Sequence, residues 1–312
     1  MPWLQIKIPT MPKYTEVLED AMLLAGCTAV TLIDTDDQPV FEPIRGTTPL
    51  WEHTTLQGLF EEDVDAQQLV ETLQQLIESE QLKTGEISTE ILEDKDWERE
   101  WMDNFQPIAC GDRLWIVPSW RDAPDQEAVN LRLDPGLAFG TGTHPTTFLC
   151  LQWLNDHIKG DETVLDYGCG SGILGLSALL LGANHMDGID IDPQAITATE
   201  NNAQTNNLAT ELFRVTTEIS ELAEQYDVVV ANILAGPLCD MAEAICHRLK
   251  PDAPLVLSGI LSHQAVSVVD AYERWISFDP ISELDGWVRL SGRKRQSKGF
   301  QPTDNGLILE LS

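Results

Sequence analysis

From residue 163 onward the chain repeats one unit: an apolar strand, a turn rich in glycine or acids, and a helix. Residues 163–167, 186–191, 212–215, 228–233 and 255–258 are short, almost continuously apolar runs. Such runs are expected of strands covered on both faces. Helical spacing at about 173–181, 193–206, 237–249 and 263–274 alternates with them, which restricts the fold to the α/β class with a doubly wound parallel sheet. Residues 287–290 read as a late edge strand, and 296–312, without periodicity, as a mobile tail.

The preceding third has a different rhythm. Alternating Leu4, Ile6 and Ile8 predict a strand, 15–25 a helix and 29–33 a strand. Apolar positions at 64, 69, 70, 73, 76 and 77 predict a second helix, and 86–92 alternates as a strand. Two rounds of strand and helix suit a small α+β domain of ferredoxin-like type over residues 1–94. Residues 95–130 are rich in tryptophan and charge and are expected to connect it to the larger domain, 131–295. Trp97 and Trp101 would share a helix face, packing domains together or forming an aromatic cage.

The densest chemical signal is Asp166-Tyr167-Gly168-Cys169-Gly170-Ser171-Gly172, after a strand and before a helix. Glycines let the backbone approach a ligand, although turns of this kind also need them for shape alone. The spacing is GxGxG, whereas a dinucleotide fingerprint is GxGxxG with a pyrophosphate on the helix N-terminus. Asp166 would repel a pyrophosphate but suits a cationic amino acid moiety. Asp190, in Gly188-Ile189-Asp190-Ile191-Asp192, follows Gly170 by 20 residues, close to the spacing of an acid that accepts from ribose hydroxyls. Together they suit an adenosyl group without phosphates. Asp192, followed by Pro193, reads as a helix N-cap.

Two further stretches belong to this set. Residues 134–147 carry three glycines and four threonines and end at Thr147, the composition of a ligand lid more than of a spacer. His144 there is either a base or a helix-entry residue. Asn232, in Val230-Ala231-Asn232-Ile233-Leu234, ends a strand on the side where open α/β sheets bind ligands. Its amide would cap the following helix or offer a carbonyl acceptor to an amine, and its position favours the second use.

Composition narrows the partners. The formal charge is −32, and residues 1–100, with 22 acids and 6 bases, carry half of it. That disfavours a phosphate backbone and favours a basic partner, although a solvating surface explains it equally well. The six cysteines form no CxxC pair and the six histidines no HxH or HExxH, so no metal and no disulfide framework is expected. No apolar run approaches the roughly 20 residues of a membrane span, and the opening residues do not read as a secretory signal. A cytoplasmic location is the expectation.

These motifs, with Glu93-Asp94-Lys95-Asp96-Trp97 and residues 114–121, resemble the ribosomal protein L-eleven methyltransferase family over residues 1–295. The resemblance implies a seven-stranded class I methyltransferase domain behind a small substrate-recognition domain. It also implies S-adenosylmethionine as cofactor and trimethylation of lysine side chains and the N-terminal amine of that ribosomal protein. Thr147, Gly168, Asp190 and Asn232 stand where the family binds cofactor; Asp166 and Gly170 complete the expected set, and Asn232 is the expected catalytic residue. A monomer without direct nucleic-acid contact is expected. Two other classes fit less well: a methyltransferase of another amine or of nucleic acid, and a non-catalytic scaffold. Ile233 and Leu234 stand where adenine-N6 enzymes carry two prolines, and the intact glycines with Asp190 argue against a scaffold.

Overall fold

The computed structural model describes residues 2–36, 51–61, 63–92, 105–134 and 142–296. The chain divides into two compact units, residues 1–103 and 104–312.

In the first unit β1 (Trp3–Thr10), α1 (Thr15–Leu24), β2 (Ala29–Asp34), β3 (Thr54–Glu61), α2 (Ala66–Ser79) and β4 (Ser88–Leu92) follow in that order. The sheet runs β2-β3-β1-β4, all antiparallel, which is the ferredoxin-like arrangement. Alternation on β1 puts Leu4, Ile6 and Ile8 in the core with Leu18, Met22, Leu69 and Leu73 from the two helices. Each such leucine contributes about 1.5–3 kcal/mol by leaving water. Asp65 starts α2 by accepting from the amides of Gln67 and Gln68. β3 has no counterpart among the strands expected from the sequence. Its alternation is Leu56, Gly58, Phe60, and glycine at the middle inward position erases the signal. A Cβ there would lie 2.9 Å from Met22 Sδ, so the position must stay small.

The second unit begins with three strands, β5 (Ile108–Ala109), β6 (Leu114–Val117) and β7 (Val129–Arg132), inside the stretch expected to be a connector. They are part of this unit because Cys110, Leu114, Ile116 and Leu131 are buried in its core. The main sheet comprises β8 (Thr163–Tyr167), β9 (His185–Ile189), β10 (Phe213–Thr216), β11 (Val228–Asn232), β12 (Pro254–Leu261), β13 (Ile276–Phe278), β14 (Ser282–Leu284) and β15 (Trp287–Lys294). Seven of them lie in the order β10-β9-β8-β11-β12-β15-β13, and β14 pairs with β15 beside that path. The first five are parallel and β15 is antiparallel to both neighbours. Residues 287–290 are therefore not at the edge: β14 pairs with Trp287, Val288 and Arg289, and β13 continues along Gly292, Arg293 and Lys294.

The connecting helices are α3 (Pro145–His157), α4 (Ile173–Leu180), α5 (Pro193–Thr205), α6 (Ala235–Asp240), α7 (Ala242–His247) and α8 (Ala265–Tyr272). They cover both faces of the sheet, so neighbouring strand residues enter opposite cores: Val164, Val228, Val230 and Val256 on one side, Leu165, Val229, Ala231 and Leu255 on the other. None of the six cysteines is in a disulfide. Among the described residues no helix is long and apolar enough to cross a membrane, and no His, Cys, Asp and Glu side chains cluster as metal ligands do.

Candidate active site

Three parallel strands deliver their carboxyl ends to one place, and the start of α3 meets them there. The loop after β8 is held in shape by backbone: the amides of Gly168 and Cys169 both donate to the carbonyl of Ile189 at the end of β9, at 2.8 and 3.0 Å. Gly168 has φ +79°, and a Cβ on it would sit 2.3 Å from Ile233 Cγ2. Gly172 has φ +77°, and a Cβ there would meet Thr199 Cγ2 at 2.5 Å. Both positions combine a left-handed backbone with a contact that excludes any side chain.

Asp190 closes the loop from the β9 side. Its Oδ2 accepts from the amide of Gly170 at 2.9 Å and its Oδ1 from the amide of Asp192 at 3.0 Å. Asp192 caps α5, accepting from Gln194 N with Pro193 at the first helical position, as expected. Between the two acids Ile191 is 96% exposed. The apolar run expected as a strand, 186–191, extends two residues beyond β9, and Ile191 at its end is exposed.

Asn232, at the end of β11, donates from Nδ2 to Thr147 Oγ1 at 3.1 Å. Its Oδ1 is buried and accepts no hydrogen bond from any described residue. Thr147 is fully buried on the first turn of α3. His144 is the N-cap of that helix, its Nδ1 taking the amide of Thr146 and lying 2.7 Å from Thr146 Oγ1, with Pro145 at the first helical position. Burial lowers its pKa, which keeps the ring neutral and fit to accept. This is the helix-entry use. Residues 135–141 of the motif, and Trp97 and Trp101, lie outside the described residues.

Asp166 is placed differently from Asp190: 1% exposed, below the glycine loop, with Oδ2 accepting from Gly175 N at 2.8 Å and Oδ1 without a partner. Burial pushes its carboxyl up from 3.8 to about 7, against the pull of the Gly175 hydrogen bond and with a smaller push from Asp190. A carboxyl whose folded pKa exceeds its unfolded one lowers stability as pH rises between those two values. Asp166→Asn is therefore expected to gain stability relative to the parent between about pH 4 and pH 7 at up to about 1.4 kcal/mol per pH unit. Urea unfolding across that range checks it; parallel curves for the two proteins would mean that Asp166 is ionised in the fold.

The residues present fit an adenosyl sulfonium better than a nucleotide. None of residues 166–172 or 188–192 is basic, two acids lie at the loop, and the end of β11 carries a buried acceptor unfilled among the described residues.

The family model described as ribosomal protein L11 methyltransferase matches residues 2–295. The chain belongs to the ribosomal protein L11 methyltransferase family. Ribosomal protein L11 methyltransferase of Marinomonas sp. (strain MWYL1) is 53% identical over 94% of this chain and 99% of its own. That of Cellvibrio japonicus (strain Ueda107) is 50% identical over 95% of this chain and all of its own. Among solved structures, the ribosomal protein L11 methylase from Lactobacillus delbrueckii subsp. bulgaricus superposes with a TM-score of 0.55 and 30% identity, covering 62% of this chain and 99% of its own. As a member of the L11 methyltransferase family the chain is an enzyme, a methyltransferase, and its main sheet has the class I strand order.

Proposed function

We propose that this chain transfers methyl groups from S-adenosylmethionine to lysine side chains and the N-terminal amine of ribosomal protein L11, in the cytoplasm, and that residues 1–94 recognise that substrate. The observation that carries the reading is the amide of Asn232, tied on one side to Thr147 and offering a buried, unfilled acceptor on the other.

Bound S-adenosylmethionine supplies an activated sulfonium methyl, so neither a metal nor a covalent intermediate on the protein is required. The glycine loop gives it close backbone approach, Asp190 accepts from the ribose, and exposed Ile191 offers an apolar face to the adenine. Asp166 acts from beneath by holding the first turn of α4 through the amide of Gly175, and its carboxyl would suit the cationic amino acid moiety of the cofactor. A lysine amine has an unperturbed pKa of about 10.4 and must lose a proton before it can attack. A carboxylate beside it would hold that proton on. The neutral Oδ1 of Asn232 accepts instead from an N–H of the deprotonated amine and turns its lone pair toward the methyl.

Asp190→Ala is expected to weaken S-adenosylmethionine binding by about 1.5–3 kcal/mol, the range of hydrogen bonds to a charged group. Calorimetry on the folded variant tests this, and unchanged affinity would take Asp190 out of the ribose role. Mass spectrometry of ribosomal protein L11 after incubation with enzyme and cofactor identifies the amines; absence of any added methyl would overturn the substrate.

A further inference from the structure

One helix touches both the glycine loop and Asp190 from outside, and its side chains reach the loop at helical spacing. Thr199, Asn202 and Asn206 are three and four residues apart and share a face of α5 and its C-cap. Thr199 Oγ1 donates to the carbonyl of Gly170 at 3.1 Å. Asn202 Nδ2 donates to the carbonyl of Ser171 at 2.8 Å. These carbonyls belong to the two residues between Cys169 and Gly172, the section of the loop whose amide at Gly170 also holds Asp190.

Asn206 reaches the other way. Its Oδ1 accepts from the backbone amide of Arg132 at 2.7 Å and its Nδ2 donates to the carbonyl of the same residue at 2.8 Å. The amide thus imitates a strand pairing with the end of β7, and both of its polar atoms are fixed in orientation. A second bond from Nδ2 to the carbonyl of Asn202, at 2.7 Å, locks it to the helix. At the opposite end α5 begins at Asp192, whose amide holds Asp190. The helix is therefore pinned to β7 at its C-terminus, to the glycine loop along its length and to the acid at its N-terminus.

We propose that Asn202 and Asn206 are positioning residues for the methyl-transfer site: Asn202 sets the height of the glycine loop, and Asn206 anchors the helix from which Asn202 acts. Neither touches the reacting atoms. The inference rests on the cofactor lying against residues 168–172 and 190. Loss of one neutral hydrogen bond to the loop corresponds to a change of about fivefold in an equilibrium constant.

The experiment measures binding of S-adenosylhomocysteine to the full chain by calorimetry, with thermal unfolding alongside. Asn202→Ala and Asn206→Ala are each expected to bind about fivefold more weakly and to raise the KM for cofactor, leaving the KM for the protein substrate unchanged. Asn206→Asp, which keeps the acceptor for Arg132 N but loses both donations, should fall between Asn206→Ala and the parent. Tyr272→Phe is the control. It deletes a buried hydrogen bond to the carbonyl of Leu238 in the other core, and is expected to lower the melting temperature without changing affinity. Hydrogen exchange at the amides of 170–172 without ligand should quicken in both alanine variants. Parent-like affinity and exchange in those variants, or weakening in the same proportion in Tyr272→Phe, would overturn the proposal. Failure of the parent to bind the ligand would overturn the reading of the site itself and the positioning role with it.

Discussion

A chain beginning at residue 104 is expected to bind S-adenosylmethionine with the affinity of the full chain and to methylate ribosomal protein L11 at least about a hundredfold more slowly, because a docked substrate gains an effective concentration that a free one lacks. The second unit holds its own two cores and every described element of the cofactor site. The first holds none of those elements, but its residues 1–100 carry half of the net charge of −32. Binding is read by calorimetry and methylation by mass spectrometry. Full activity in the shortened chain would remove the recognition role from residues 1–94. If charge brings the partners together, association should slow with salt, since the screening length falls from about 10 Å at 0.1 M to about 3 Å at 1 M.

Asn232→Ala is expected to lower kcat at least about tenfold, equivalent to about 1.4 kcal/mol of transition-state stabilisation. The acceptor of Asn232 at the end of β11 is buried and unfilled among the described residues. Asn232→Asp should restore little, because a carboxylate stabilises the unreactive ammonium and so moves the rate profile to higher pH. Single-turnover methylation at saturating cofactor over a pH series separates these effects from cofactor affinity. Parent rates in the alanine variant would leave the carboxamide a structural role, holding Thr147 alone.

The parallel strands were legible because burial on two faces leaves no alternation to misread: five of five apolar runs from 163 onward coincide with β8 to β12 within a few residues. Strands that carry glycine inward, or that are only a few residues long, were not. β3 hides behind Gly58, and β5 to β7 are two to four residues long among charged turns. The helix expected over 237–249 is two short helices meeting at Met241, a break that no proline or glycine announces. At the site, motif spacing pointed to Asp190, Asn232, Thr147 and the glycines, which the fold brings together. It did not separate Asp166, whose carboxyl lies beneath the loop, from Asp190, whose carboxylate lies on it; that distinction is one of depth. Asn206 was equally silent, since a C-cap asparagine reads as a helix end whatever its side chain grips.

The unfilled acceptor of Asn232 also bears on how many methyl groups one nitrogen receives. An unmodified neutral amine has two hydrogens, a monomethylated one has one, and a dimethylated one has none while still bearing the electron pair that attacks. A fixed acceptor can therefore orient the first two transfers and has nothing to grip in the third. If three methyls are placed on one nitrogen, the last depends on the shape and dryness of the pocket alone, and the partly methylated states report which of the two forms of guidance is acting.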